Sequence, residues 1–144
     1  MSGDASREFV DTNVLVYAFD SSAGLKRTAA TTLLERLWQN GTGCLSVQVL
    51  QEFFVAVTRR VAHPISNAEA ADRIREFAAW RVFSPTVDDV LAAIDLQKQA
   101  HLSFWDAMVV RAASESRCDT LWTEDLNDGQ TIQGVHVRNP FSSR

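Results

Sequence analysis

Four acidic side chains stand where carboxylates add nothing to packing. Asp11 closes the apolar run Phe9–Val10, and Asp125 comes two residues after Thr123, which ends the run Thr120–Leu121–Trp122. Asp106 falls in the first turn of the stretch opened by Ser103, and Glu52 lies off the apolar stripe of its segment, beside Gln48, Ala56 and Arg59. No cationic residue stands at these positions, and the two lysines, Lys26 and Lys98, fall at no expected strand end. Several carboxylates in one cavity repel each other and stay ionised together only if a cation joins them. Hard divalent ions such as Mg²⁺ take oxygen ligands, usually one or two carboxylates with waters and substrate phosphate. That combination suits phosphodiester hydrolysis, in which the ion activates water and offsets charge on the phosphate.

Each acid also has an ordinary reading. Ser103 and Asp106 have the spacing of a capping box, Asp125 suits a turn, and Glu52 suits a solvated helix face. Asp11 is the least ordinary, because a carboxylate that ends an apolar strand is rarely placed there for stability. Asn13 stands close enough in sequence to orient Asp11 by a hydrogen bond, although Thr12 and Asn13 equally suit a helix start.

The elements that would bring these acids together alternate. Glu8–Asp11 reads as a first strand and Val14–Phe19 as a short helix. Ala30, Leu33, Leu34, Leu37 and Trp38 mark an amphipathic helix that Asn40–Gly41 stops. Gly43–Ser46 is a second strand, and Ser46 caps a helix with the stripe Leu50, Phe53, Phe54, Val57 and Val61, broken before Pro64. Ser66 opens a helix with Ala70, Ala71, Ile74, Phe77 and Ala78; Trp80–Ser84 is a strand; Thr86 caps a helix carrying Val90, Leu91 and Ile94. After Ser103, the residues Trp105, Met108, Val109, Ala112 and Ala113 are expected to face inward. Thr120–Thr123 and Val135–Arg138 are the last strands, and Pro140 ends the second. This rhythm predicts an α/β fold, a mainly parallel central sheet with helices on both faces. In such sheets ligands bind beyond the carboxyl ends of the strands.

The 144 residues fit a single domain, residues 1–144, with an ordinary apolar share of 46%. No apolar run approaches a membrane span, and the polar start has no signal-peptide pattern, so a cytoplasmic protein is expected. Cys44 and Cys118 read as small core residues, His63, His101 and His136 have no metal-like spacing, and all four tryptophans read as packing residues. The net charge of −4 argues against a protein that coats DNA. Setting aside Asp11, Glu52, Asp106, Asp125 and the nearby Asp128 leaves +1, with Arg59, Arg60, Arg111 and Arg117 available for phosphate contacts.

The stretches Phe9–Ala18, Leu45–Phe54, Leu102–Ala107 and Leu121–Leu126, running on to Asn139–Pro140–Phe141, span nearly the whole chain. In this order they resemble the PIN domain family, and within it the VapC-type toxins of type II toxin–antitoxin modules. The resemblance implies a PIN-like three-layer fold and metal-binding acids at Asp11, Glu52, Asp106 and Asp125. It implies a polar supporting role for Thr123. It also implies a Mg²⁺-dependent endoribonuclease, with Mn²⁺ as a substitute, that cuts structured RNA such as tRNA or rRNA. The partners implied are an antitoxin protein and a second copy of the chain. Many relatives carry a tight Asp-x-Asp at the last site; here the second acid is Asp128, three residues on, a weaker supporting candidate. The bulk of Leu37, Trp38, Phe53 and Phe54 suggests an apolar groove for an antitoxin helix between the helices Leu25–Gln39 and Val47–Val61.

Three rivals remain at this stage. Asp11–Thr12–Asn13 after a strand superficially resembles the aspartate-nucleophile phosphatases of the haloacid dehalogenase type. Those also need a late lysine, and the one available, Lys98, lies within a helix pattern. An RNA-binding domain with a decayed site would not need all four acids. A related nuclease acting on DNA flaps would need insertions that 144 residues leave little room for.

Overall fold

The computed structural model describes residues 6–142. Strand β1 (Arg7–Val10) leads into helices α1 (Thr12–Ala18) and α2 (Leu25–Asn40), then strand β2 (Gly43–Ser46). Helix α3 (Val47–Val55) runs on as a π-helical turn, Ala56–Arg60, followed by α4 (Asn67–Phe77) and β3 (Arg81–Phe83). The chain continues through α5 (Val87–Ala100), α6 (Phe104–Glu115), β4 (Cys118–Trp122), β5 (Thr131–Ile132) and β6 (Val135–Arg138).

The six strands form one sheet in the order β3-β2-β1-β4-β6-β5. All neighbours are parallel except β5, which runs antiparallel to β6. Phe9 of β1 pairs with Cys44 of β2 on one side and Leu121 of β4 on the other. From β1 the chain builds outward through β2 and β3, then crosses back to β4 on the opposite flank. With right-handed connections, α1 to α4 cover one face and α5 and α6 the other. The packing agrees, because α1 packs on α2 and α3, α3 packs on α4, and α5 packs on α6. The strand order therefore reverses between β1 and β4, which is where open α/β sheets bind ligands. Asp11 follows β1 at this point and Thr123 follows β4.

Local chemistry fixes the helix starts. Ser46, Ser66, Thr86 and Ser103 each accept a backbone N–H with the side-chain oxygen at a helix N-terminus. Gly41 ends α2 in the left-handed conformation, at φ 68°, which glycine adopts without steric cost. Phe9, Leu45 and Leu121 of the central strands and Leu15, Leu37, Phe53 and Val110 of the helices are fully buried. Among the described residues no helix is long and apolar enough to cross a membrane.

Several expectations need correction. Helix α1 starts at Thr12, because Asp11 is its cap, and β3 is confined to Arg81–Phe83. The two-residue β5 is too short to leave a periodic signal. The Thr58 hydroxyl donates to the Phe54 carbonyl at 2.6 Å, a back-bond that competes with helical pairing, and the helix loosens into its π-turn there. On α5 the buried face is Asp89, Ala93 and Leu96, because Asp89 must reach Arg111; Val90, Leu91 and Ile94 lie outside. Trp105 sits at the start of α6, beyond the core's edge, and is 62% exposed; Trp38 is 41% exposed but packs on Phe77 and Trp80, as a packing residue at the core's rim. Cys44 and Cys118 are both buried as free thiols, and the Cys44 thiol donates to the Thr42 carbonyl at 3.9 Å.

Gly43 begins β2 under the Trp80 ring. A Cβ at this position would stand 2.5 Å from the ring carbons Cε3 and Cζ3. Gly43→Ala should destabilise the fold by about 1–3 kcal/mol through overpacking, read as a lower urea midpoint with an unchanged slope.

Candidate active site

Asp11 continues the β1 ladder by donating its N–H to the Trp122 carbonyl at 3.0 Å, then turns the chain into α1 as its cap. One carboxylate oxygen accepts the Thr12 N–H at 2.7 Å. The other accepts the Thr123 hydroxyl at 2.8 Å and the Asn13 amide at 3.5 Å. Thr123 is fully buried; its hydroxyl also accepts the Asp125 N–H at 3.1 Å and the Asn13 amide at 3.2 Å. The same Asn13 amide donates to an Asp125 carboxylate oxygen at 3.0 Å, and the Asn13 carbonyl accepts the Glu124 N–H at 3.4 Å. Asn13 and Thr123 thus stitch the end of β1 to the end of β4 and hold Asp11 and Asp125 on one amide.

Glu52 is exposed on α3. One oxygen accepts the Gln48 amide at 3.2 Å and the Thr12 hydroxyl at 3.4 Å. Asp106 stands half-buried in the first turn of α6, where its N–H donates to the Ser103 hydroxyl at 3.1 Å. A true capping box also needs the acid to return to the cap's backbone N–H. Asp89 does this at Thr86, at 2.7 Å, and among the described residues Asp106 shows no such bond to Ser103. The box at Ser103 is therefore left incomplete.

Buried acids elsewhere in the molecule have cations. Glu8 takes both terminal nitrogens of Arg36, and Asp89 takes Arg111 at 2.8 Å. Among the described residues none of Asp11, Glu52, Asp106 and Asp125 forms an ion pair. The titrations follow. Burial pushes the Asp11 carboxyl up to about 7; the Thr123 and Thr12 hydrogen bonds oppose this, and the charges of Asp125 and Glu52 add to it. Burial also raises Asp106, partly offset by the Ser103 hydroxyl, and Asp125 raises it further. Glu8 moves the other way: burial raises it, but the Arg36 and Trp122 hydrogen bonds carry it below its ordinary value.

The four acids share one field but not one cage. Among the described residues no three His, Cys, Asp or Glu side chains are grouped closely enough to hold a metal ion by themselves. A donor set of one or two carboxylates with room for water is what Mg²⁺ ordinarily takes. Asp11, buried without a cation and joined to Asp125 through Asn13, fits such an ion.

Other sequence expectations end differently. Asp128 accepts the Asn139 N–H at 3.0 Å and so secures the loop after β4. Arg111 is committed to Asp89 and Glu115, and Arg117 precedes β4 at the far end of the sheet. Lys26, excluded by its position in sequence, lies beside the site after all. Its ammonium contacts Glu124 at 2.8 Å and sits 4.8 Å from the centre of the Tyr17 ring. The Tyr17 hydroxyl donates to Glu124 at 2.6 Å. This clamp on the residue before Asp125 joins residues too distant to stand out in sequence, whereas Gln48 on Glu52 is the near-face neighbour that the helical spacing gives.

The PIN domain family model matches residues 9–127. A toxin–antitoxin complex from Klebsiella pneumoniae contains a similar fold, with TM-score 0.69 and 22% identity over 96% of this chain and 100% of that one. VapC20 of Mycobacterium tuberculosis, described as a toxin that cleaves the sarcin–ricin loop, gives 0.64 and 24% over 82% and 91%. VapBC2 of Rickettsia felis, solved with a promoter DNA fragment, gives 0.65 and 18% over 92% and 97%. No curated protein matches the chain.

The Asp11 shift has a thermodynamic consequence. Its folded value, about 7, lies above the ordinary 3.8, so the folded protein keeps a proton that the unfolded chain releases. The stability this group supplies is complete below about pH 4 and is lost as pH rises through 7, on the order of a few kcal/mol. In EDTA, Asp11→Asn should therefore flatten the fall in melting temperature between pH 4 and pH 8 relative to wild type. Parallel curves for the two proteins would contradict the shift.

Proposed function

This chain belongs to the PIN domain family, and from that membership we propose that it is a divalent-metal-dependent endoribonuclease, the toxin of a type II toxin–antitoxin pair. The observation that carries this reading is the buried Asp11 carboxylate at the β1–β4 reversal, without a cationic partner among the described residues and bridged by Asn13 to Asp125. Asp11 and Asp125 would hold Mg²⁺ or Mn²⁺, with Asp106 and Glu52 completing the acidic rim directly or through water. The bound ion would supply an activated water and charge neutralisation at the scissile phosphate.

The rest falls to the chain's own groups. Asn13 and Thr123 fix the rotamers of Asp11 and Asp125, since preorganised electrostatics contribute most to catalysis of this kind. Thr12 and Gln48 steady Glu52. Arg59 and Arg60, exposed in the π-turn that continues the same helix, would supply cations for RNA phosphates. The substrate class proposed is structured RNA of the tRNA or rRNA type, in the cytoplasm.

For the antitoxin, the supporting feature is an apolar groove of about 570 Å³, lined by Ala18, Phe19, Leu34, Trp38 and Phe77. It lies among α1, α2 and α4, not between α2 and α3 as the sequence suggests, because Phe53 is spent entirely on the core. For the homodimer, the supporting feature is the stripe Val87, Leu91 and Ile94 on α5, exposed by 75%, 56% and 39%.

The purified protein should cut RNA in Mg²⁺ or Mn²⁺ and stop in EDTA, with sites mapped by sequencing new 5′ ends in total RNA. Asp11→Asn or Asp106→Asn should lower the rate about 10²-fold or more. Full activity in either variant would remove that residue from the site. Leu91→Arg should shift the protein toward monomer in light scattering at micromolar concentration while leaving its melting temperature nearly unchanged.

A further inference from the structure

The carboxylates occupy the end of the sheet where β1 and β4 finish. At the opposite end, where the strands begin, a cavity of about 720 Å³ opens between the end of α2 and the starts of β1, β2 and β3. Its lining includes Arg7, the first residue of β1, and Arg81, the first residue of β3. Thr42 and Trp80 line it too, as does Trp38 from α2.

The lining is rich in donors. It contains no Asp or Glu, and neither Arg7 nor Arg81 forms an ion pair among the described residues. Arg7 donates from one terminal nitrogen to the Ser116 carbonyl at 3.1 Å, which leaves most of its N–H groups over. The Trp80 Nε1 and the Thr42 Oγ1 are buried without a hydrogen-bond partner. Both residues are more than nine-tenths buried, at 9% and 7% exposure. Native interiors seldom leave such groups unpaired. Hydrogen bonding with Cys118 and, against burial, the charges of Arg81 and Arg7 lower the titration of the Cys44 thiol, which lines the same cavity. Arg81 also stands opposite Cys44 in the β2–β3 pairing, so these two residues share one face of the sheet.

A cavity with two guanidiniums and no carboxylate in its lining suits an anion. Its volume is that of an organic ligand and exceeds what a bare oxyanion needs. Trp38 stacks on Phe77 and meets Trp80 edge to face, and the 41% of it that stays exposed offers an aromatic surface at the cavity's edge. Guanidiniums pair with phosphate, and aromatic rings stack on any base. We propose that this cavity binds one nucleotide unit, its phosphate between Arg7 and Arg81 and its base against Trp38. The unit is either a free mononucleotide or one residue of a single-stranded RNA. The inference stands apart from the nuclease reading, because it concerns the other end of the sheet and needs no cleavage.

Calorimetric titration in EDTA tests it, with AMP, a single-stranded RNA pentamer and inorganic phosphate as probes. Wild type should bind AMP, the pentamer or both more tightly than phosphate. Arg81→Gln should weaken that binding about tenfold, Arg81→Lys should restore part of it, and Asp125→Asn should leave it unchanged. Binding of AMP assigns a free nucleotide; binding of the pentamer without AMP assigns a nucleotide within a chain. The proposal is overturned if neither binds at millimolar concentration, or if phosphate binds as well as AMP. It is equally overturned if Arg81→Gln binds like wild type, or if Asp125→Asn is the variant that loses binding.

Discussion

A carboxylate buried without a countercharge is the constraint around which the rest of this fold is arranged. Asp11 stands where two parallel strands end side by side, and it meets three neutral donors: the Thr12 N–H, the Thr123 hydroxyl and the Asn13 amide. Neutral donors orient a charge but do not cancel it, so the site favours a proton or an added cation. The sheet order makes this arrangement possible. Placing β4 against β1, after β2 and β3 have gone the other way, leaves a cleft at their carboxyl ends and brings residues 11 and 123 within one hydrogen bond.

Glu8 provides an internal control. It lies in β1, three residues before Asp11, and is also buried, yet its titration moves in the opposite direction. Arg36 and the Trp122 indole satisfy Glu8, so it is a structural acid. Asp11 is unsatisfied in the same sense, and its burden falls on stability at neutral pH. Proteins commonly accept such a loss where a site must be ready for a ligand.

Much of this was legible in the sequence where local chemistry decides the outcome. Ser46, Ser66, Thr86 and Ser103 are caps by residue type and position, and the run Phe9–Val10 ending in Asp11 marks both a central strand and the end at which its carboxylate is buried. The acids could be named, but the way they are held could not. That depends on Asn13 meeting Asp125 across 112 positions, and on Lys26 crossing 98 positions to reach Glu124. Asp106 shows the limit from the other side, since Ser-x-x-Asp reads as a capping box and only the geometry separates it from the completed box at Thr86 and Asp89. Apolar residues misled where a helix had another obligation: Asp89 turns α5 toward Arg111, so Leu91 and Ile94 face outward.

On the proposed reading, a divalent ion held by Asp11 would displace the proton that burial keeps on this carboxylate. Metal binding to such a group must release the proton. Calorimetry of Mn²⁺ binding at pH 6.5, repeated in two buffers of different ionisation enthalpy, counts the protons released. With Asp11 titrating at about 7, wild type should release most of one proton per ion bound and Asp11→Asn essentially none. Equal release by both proteins, or binding in wild type without release, would contradict the account.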